Sequence, residues 1–479
     1  MAHSNKFVKR YLETNEDRFK NVSEYIYYHP ETRFEEYSSS EFLASECEKE
    51  GFRVDRGVAK IETAFVASYG SDSPVIGFLG EFDALSGLGQ VPNKTAYEPG
   101  DKNVGHGCGH NLLGTGAFAA ACATKKYLEE NNLPGTVKFF GCPGEEGGSG
   151  KTFMVREGVF EGVDAALTWH PSPANSIMSL SSLANYQVYF KFRGVASHAA
   201  NSPHLGRSAL DAVELMNIGV NYLREHVISE ARMHYAVTNT GGISPNVVQA
   251  DAEVLYLIRA PKVKQVDEIF KRVTKIAEGA ALMTETALTI KFDKACSNYI
   301  QNRNLEKLLY KNLNTAGIEP PSQDEISFAE KLWSSFTEGE KEGYLDVIRG
   351  FGYSGDGSEF AGKYLADTIS PYIESWEVLA GSTDVADVSW VVPTAQLTAS
   401  TSALGTPLHT WQMTTQGISS YAHKGMLRAA EAMSLTAVDL LTDQAAVNLI
   451  QQEFKVFKEK NPYSCPIPKD VETSKLNHE

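Results

Sequence analysis

The stretch VIGFLGEFD, residues 75–83, is an apolar run that ends on the carboxylate of Asp83, and it sets the reading of the whole chain. Two further runs end in the same manner: TVKFFGCPGEE (136–146) stops on Glu145 and Glu146, and VDAALTWH (163–170) stops on His170. Apolar runs of this length read as strands buried on both faces of a parallel sheet, and such sheets bind ligands just beyond the carboxyl ends of their strands. A fourth stretch, VGHGCGHN (104–111), brings Cys108 and His110 to the start of a small-residue helix. Residues far apart in the chain are therefore expected at one metal site.

Around these runs, helical stretches such as LLGTGAFAAACATKKYLEENN (112–132) alternate with strands, which predicts an α/β fold with a mixed, mostly parallel sheet flanked by helices. Two helices are expected before the first strands. Near Leu183 the pattern changes. NYQVYFKFRG, SALDAVELMNIGVNYLREHV, ARMHYAVTNTGG, DAEVLYLIRA, QVDEIFKRVTKIAEGAALMTE and ALTIKFDKA read as strand, helix, strand, strand, helix, strand. That order is a ferredoxin-like α+β unit inserted into the larger one. The expected division is 1–182 for the first part of the catalytic domain, 183–295 for the insertion and 296–479 for the second part. No strand is expected between Cys296 and Glu374; a long helix is expected from Ile418 to about Leu441, and a loosely held tail after Cys465.

Composition narrows the function classes. The 479 residues exceed one ordinary core, and 42% are hydrophobic. With 44 basic and 60 acidic residues the formal charge is −16, which disfavours nucleic acid and anionic membrane. No run reaches the roughly 20 apolar residues a bilayer requires. The six cysteines show no disulfide-like spacing, so a cytoplasmic location is expected.

The residues themselves leave alternatives. Cys108 and His110 suit zinc or a similar divalent ion, or else pack and cap a helix. Glu145 and Glu146 on a glycine-rich turn suit one metal ligand and one group facing bound water, or else a solvated acidic turn. His170 and His409 gain meaning only as part of a set, and Asp83 reads either as the carboxylate orienting a ligand imidazole or as a turn former. His198, in a small-residue loop, either reaches a substrate oxygen or marks a helix start. Asn246 and Arg259 either hold a substrate carboxylate or lie polar at strand edges. GEEGGSGK lacks P-loop glycine spacing and sets two carboxylates where phosphate would lie. A Cys108 nucleophile beside His110 leaves Glu145, Glu146 and His170 unexplained.

Taken together, GEFDALSG, VGHGCGHN, PGEEGGSGK, TWHP, GVASHAA and LHTW resemble the aminoacylase and carboxypeptidase family of dinuclear metallopeptidases, in its amidohydrolase branch. The resemblance runs from HPETRFEE (29–36) to the final helix. It implies two divalent metal ions, zinc or manganese, on Cys108, His110, Glu146, His170 and His409, with Glu145 as general base and acid and Asp83 orienting. It implies that the insertion is a lid and homodimer interface, that His198 reaches the partner's site as an oxyanion donor, and that Asn246 and Arg259 bind the substrate carboxylate. It gives His106 no assured ligand role. Glu81 stands where other branches carry a histidine ligand, Cys108 where they carry a bridging aspartate, and Ser86 where proline is common. The implied reaction is hydrolysis of the amide of an N-acyl or N-aroyl amino acid. The alternatives are dipeptide cleavage, deamination of a small aromatic amine, or a non-catalytic role beside a paralogue in a heteromer.

Overall fold

The computed structural model describes residues 2–353 and 355–475. Three helices lead the chain, α1 (Ala2–Thr14), α2 (Glu16–Tyr28) and α3 (Tyr37–Lys49), one more than the sequence pattern suggests. The amphipathic run expected as one helix breaks at Asn15, whose side chain bonds the Tyr11 carbonyl four residues back and whose backbone leaves the helical region.

The main sheet holds strands β1 (Arg53–Arg56), β2 (Phe65–Gly70), β3 (Val75–Glu81), β4 (Thr136–Cys142), β5 (Ala165–Ser172), β6 (Ser176–Ile177) and a late strand, Thr394–Ser400. Its order is β1-β2-β4-β3-β5, then the late strand, then β6. The centre is parallel: β4, β3, β5 and the late strand run in one direction, so their carboxyl ends meet along one rim. β1, β2 and β6 are antiparallel additions at the edges. This is the mixed, mostly parallel sheet that the runs at 75, 136 and 163 predict.

Helix α4 (His110–Asn131) lies across that centre, and its small residues set the distance. A Cβ on Gly116 would stand 2.7 Å from the indole nitrogen of Trp169, which donates a hydrogen bond to the Leu113 carbonyl at 3.0 Å. A Cβ on Gly114 would land on the carbonyl oxygen of Glu81 at the end of β3. The amino terminus of α4 is thereby pressed against the rim where the functional side chains gather.

A second sheet comprises β7 (Ala184–Arg193), β8 (Arg232–Asn239), β9 (Asp251–Ala260) and β10 (Ala287–Cys296), all antiparallel, in the order β8-β9-β7-β10. Helices α5 (Ala209–Leu223) and α6 (Val263–Thr284) cover one face over Val188, Phe190, Val254 and Ile258. The strand, helix, strand, strand, helix, strand order read from the sequence is present. Between Arg303 and Arg349 the chain is helical, as the polar pattern there suggests, and it returns through β11, the late strand Thr394–Ser400, to a helix over Ser420–Thr442.

The tail differs from expectation. Arg156 donates to the carbonyls of Pro468 and Val471, both at 2.8 Å, Ile467 is buried, and Ser474 bonds Asp293 of β10. Long-range hydrogen bonds and the apolar contacts of Ile467 and Val471 hold residues 465–475 onto the body, a set of contacts that local composition does not encode.

Replacing Gly114 with alanine sets two effects against each other. Helix propensity favours alanine by up to about 1 kcal/mol, whereas overpacking against β3 costs about 1–3 kcal/mol. Urea denaturation is expected to show net destabilisation; a stabilised variant would mean that α4 does not press on Glu81.

Candidate metal centre

Each donor reaches the rim from a different element. Asp83 follows β3 and is fully buried; its Oδ1 lies 2.9 Å from Nδ1 of His110, and its Oδ2 accepts the Glu146 backbone N–H at 2.7 Å. One carboxylate thus orients an imidazole on α4 and fixes the turn carrying both glutamates. Since Nδ1 of His110 donates to Asp83, its Nε2 is left facing the rim, buried and without a hydrogen-bond partner, 3.3 Å from Glu81.

Glu145 and Glu146 follow β4 through Gly144, whose φ of 67° and closeness to the Phe34 ring, 2.6 Å from a built Cβ, require glycine. Buried Glu36 braces that turn: its carboxylate accepts the N–H groups of Gly144 at 2.8 Å and Phe34 at 2.9 Å, and the Thr63 hydroxyl at 3.0 Å. His170, at the end of β5, gives Nδ1–H to the Pro171 carbonyl at 2.7 Å, so Nε2 stays available, 3.5 Å from the Cys108 sulfur. His409 takes a left-handed φ of 59°, held by its N–H donating to the Gly107 carbonyl at 2.8 Å. Its Nε2 lies 3.2 Å from Oε1 of Glu146.

Three groups of donor atoms result: Cys108, His110 and His170; Cys108, Glu146 and His409; and Glu81, His110 and Glu145, with the atoms of each within 4.8 Å of one another. The first two share the Cys108 sulfur. Divalent metal ions fit this set, since thiolate, imidazole and carboxylate donors converge and His110 Nε2 is buried without a hydrogen bond. All five residues expected as ligands are brought together, with Glu145 beside them and Asp83 behind.

The electrostatics follow from burial. Burial and the charges of Glu81, Glu146 and Asp384 raise Glu145 well above the ordinary carboxylate range. Burial also raises Glu146, but His409 and His110 outweigh it and bring Glu146 down to about 2. Burial raises the Cys108 thiol, with the charge of Glu146 adding to it. Burial beside His110 holds His106 at about 3, and its Nε2–H donates to the Ile26 carbonyl at 3.1 Å.

Not every expected residue faces this centre. A cavity of about 500 Å³ opens from it, and Arg259 of β9 lines that cavity, whereas His198 and Asn246 lie exposed on adjoining loops outside it. The Ala199 N–H donates to the Asn246 carbonyl at 2.9 Å, so the two loops form one unit. Nδ1 of His198 accepts the N–H groups of Ala200 at 3.2 Å and Asn201 at 3.1 Å, which puts the ring proton on Nε2.

Lys151 is a residue of this centre that the sequence pattern does not single out. Fully buried, its Nζ lies 2.7 Å from Glu81 and 2.6 Å from Asp384. A lysine within GKTFMV, at the first turn of a helix that reads as buried, is the signal that could have marked it. Glu81 is thus held by a cation where other branches are expected to carry a histidine. Lys151→Met would leave two carboxylates without their buried partner. A loss of about 3–5 kcal/mol is expected in urea denaturation, partly recovered on adding Glu81→Gln and Asp384→Asn; an unchanged midpoint would remove the triad from the structural account.

Comparison with known proteins agrees with this geometry. The chain is 53% identical over 478 residues to a p-aminobenzoyl-glutamate hydrolase subunit of Escherichia coli K12, spanning 98% of this chain and 99% of that protein. It is 29% identical to a mouse Xaa-Arg dipeptidase over 92% of this chain and 89% of that one. The fold is similar to that of a dinuclear metal-binding peptidase of the M20 family from Bacillus subtilis, with a TM-score of 0.52 at 16% identity, covering 90% of this chain and 99% of that one. The model of peptidase family M20/M25/M40 matches residues 77–362, and with strand ends, donors and sequence in agreement, the chain belongs to that family of hydrolases.

Proposed function

We propose that this protein is a metal-dependent amidohydrolase that cleaves the amide of an N-acyl or N-aroyl amino acid of the p-aminobenzoyl-glutamate kind. The observation that carries the reading is the sharing of Cys108 between two donor groups, with Glu145 in a third group that shares His110 with the first. Cys108, His110 and His170 would hold one divalent ion, and Cys108, Glu146 and His409 a second. A shared thiolate favours zinc, and manganese remains the alternative. When bound, the ions would supply a polarised scissile carbonyl and a more acidic water. Glu145 would take the proton of the attacking water and deliver it to the leaving nitrogen. Asp83 would keep His110 in the tautomer that presents Nε2. Arg259, on the cavity floor, would hold the carboxylate of the leaving amino acid, and Asn246, on the exposed loop joined to that of His198, would add to this grip only across a contact with a second copy.

Residues 183–295 would form the lid and the contact with a second copy. Strand β8 lies at the sheet edge with Tyr235 and Val237 exposed, and Ile243 beyond it is 99% exposed. Unpaired strand edges with apolar side chains are ready docking surfaces. His198 would then cross to the partner's site and donate Nε2–H to the developing oxyanion. The Escherichia coli relative is named as one subunit of its hydrolase, which favours a second reading in which a paralogue takes the partner's place. No helix among the described residues is long and apolar enough to cross a membrane. The six unpaired cysteines support a cytoplasmic location.

Glu145→Gln should retain both metal ions by elemental analysis while losing about 10²–10⁴-fold in turnover of p-aminobenzoyl-glutamate. Retained turnover would remove Glu145 from the reaction. His198→Ala alone should also be nearly inactive. Equal mixtures of the two variants, dissociated and reassembled, should recover roughly a quarter of wild-type activity, because half the dimers then hold one intact composite site. No recovery would place the oxyanion donor within one chain.

A further inference from the structure

The floor of the cavity is a patch of the second sheet built from two cross-strand rows. Arg259, Asn185 and Cys296 are paired across β9, β7 and β10, and Leu257, Gln187 and Lys294 form the next row on the same face. The register between β7 and β10 slips after Gln187, so that Asp293 is an extra residue with no partner on β7. This bulge lets neighbouring side chains take separate duties. Asp293 turns to Arg33 and accepts Gln187 Nε2–H at 2.7 Å, while Lys294 lines the cavity.

Lys294 is 7% exposed, and among the described residues its side chain has no hydrogen-bond or ion-pair partner. Its ammonium faces the open space of the cavity, where an incoming anion can meet it. Of the amides beside it, Asn185 donates to the Cys296 sulfur at 3.0 Å and Gln187 to Asp293, so neither N–H is free for a ligand, while Asn185 Oδ1 is buried without a partner. The acids that line the same cavity are engaged too. Glu81 and Asp384 hold Lys151, Glu146 faces His409, and Asp346 pairs with Arg349 at 3.1 Å, while Glu145 sits within the donor groups. Nε of Arg259 is likewise buried without a partner. The floor therefore offers two unneutralised cations on opposite corners of the patch.

We infer that Lys294 is a specificity residue that binds the side-chain carboxylate of a dicarboxylic amino acid, such as glutamate, while Arg259 binds its α-carboxylate. The inference rests on the amidohydrolase reading above and adds to it the charge of the leaving residue. Two cations accept two carboxylates, and they repel the arginine side chain that the name of the mouse relative implies for its own substrate.

The test compares N-(4-aminobenzoyl) derivatives of glutamate, glutamine, alanine and arginine on the metal-loaded enzyme. Wild type should prefer glutamate over glutamine in kcat/KM. Lys294→Met should lose about 10- to 100-fold of that preference, mainly through KM, and Lys294→Arg should restore part of it. Lys294→Glu should shift preference toward the arginine derivative. Calorimetric binding of 4-aminobenzoyl-glutamate to Glu145→Gln, with and without Lys294→Met, should show the same loss without turnover, and an unchanged melting temperature would show that the fold is kept. Hydrolysis with equal preference for glutamate and glutamine, or a preference that survives Lys294→Met, would overturn the role of Lys294 and leave the amidohydrolase reading standing. Hydrolysis of none of the four derivatives would overturn both.

Discussion

The carboxylate of Asp83 is the constraint on which the metal centre depends. It contacts two elements at once, the first helical residue of α4 through His110 and the turn after β4 through the Glu146 N–H. A buried carboxylate with both oxygens engaged is held in one orientation, and that in turn fixes which nitrogen of His110 faces the rim. Parallel strands bring the chain ends close; Asp83 then sets the orientation of His110 on one side and of the Glu146 turn on the other.

Concentrating Glu81, Glu145, Glu146 and Asp384 at one rim would be strongly unfavourable without cations. Lys151 neutralises Glu81 and Asp384, and His409 faces Glu146. A lysine inside the protein is a permanent counter-charge, whereas a metal ion is exchangeable. The division leaves Glu81 held by a fixed cation while it stands 3.3 Å from Nε2 of His110.

What was legible in the sequence was what local pattern encodes. Apolar runs ending on Asp83, Glu145 and His170 gave strands whose carboxyl ends had to meet, and the alternation after Leu183 gave the second sheet in order. Contacts between residues distant in the chain were not legible. The backbone of Lys151 bonds Asp384 across 233 residues, and nothing in GKTFMV names that partner. Lys294 looked like the ordinary end of a strand because a bulge at Asp293 changes which side chains share a face, and a bulge leaves no periodicity to read. The tail after Cys465 looked loose because its anchors, Arg156 and Asp293, lie far upstream.

Arg33 shows how the two sheets are kept in register with each other. Its guanidinium is buried, bonds the Gly147 carbonyl in the glutamate turn, and reaches Asp293 of β10 at 3.2 Å. A buried ion pair of this kind gains little net stability, since desolvation cancels much of its Coulomb energy, but its planar donors tolerate few geometries. One end of the pair fixes the turn that carries Glu145, and the other fixes the bulge that directs Lys294 into the cavity. The reacting end of the cavity and its cationic floor are thus set by one side chain at a defined separation. In a rigid cavity, that separation decides how long a leaving residue can be, so length and charge are selected together.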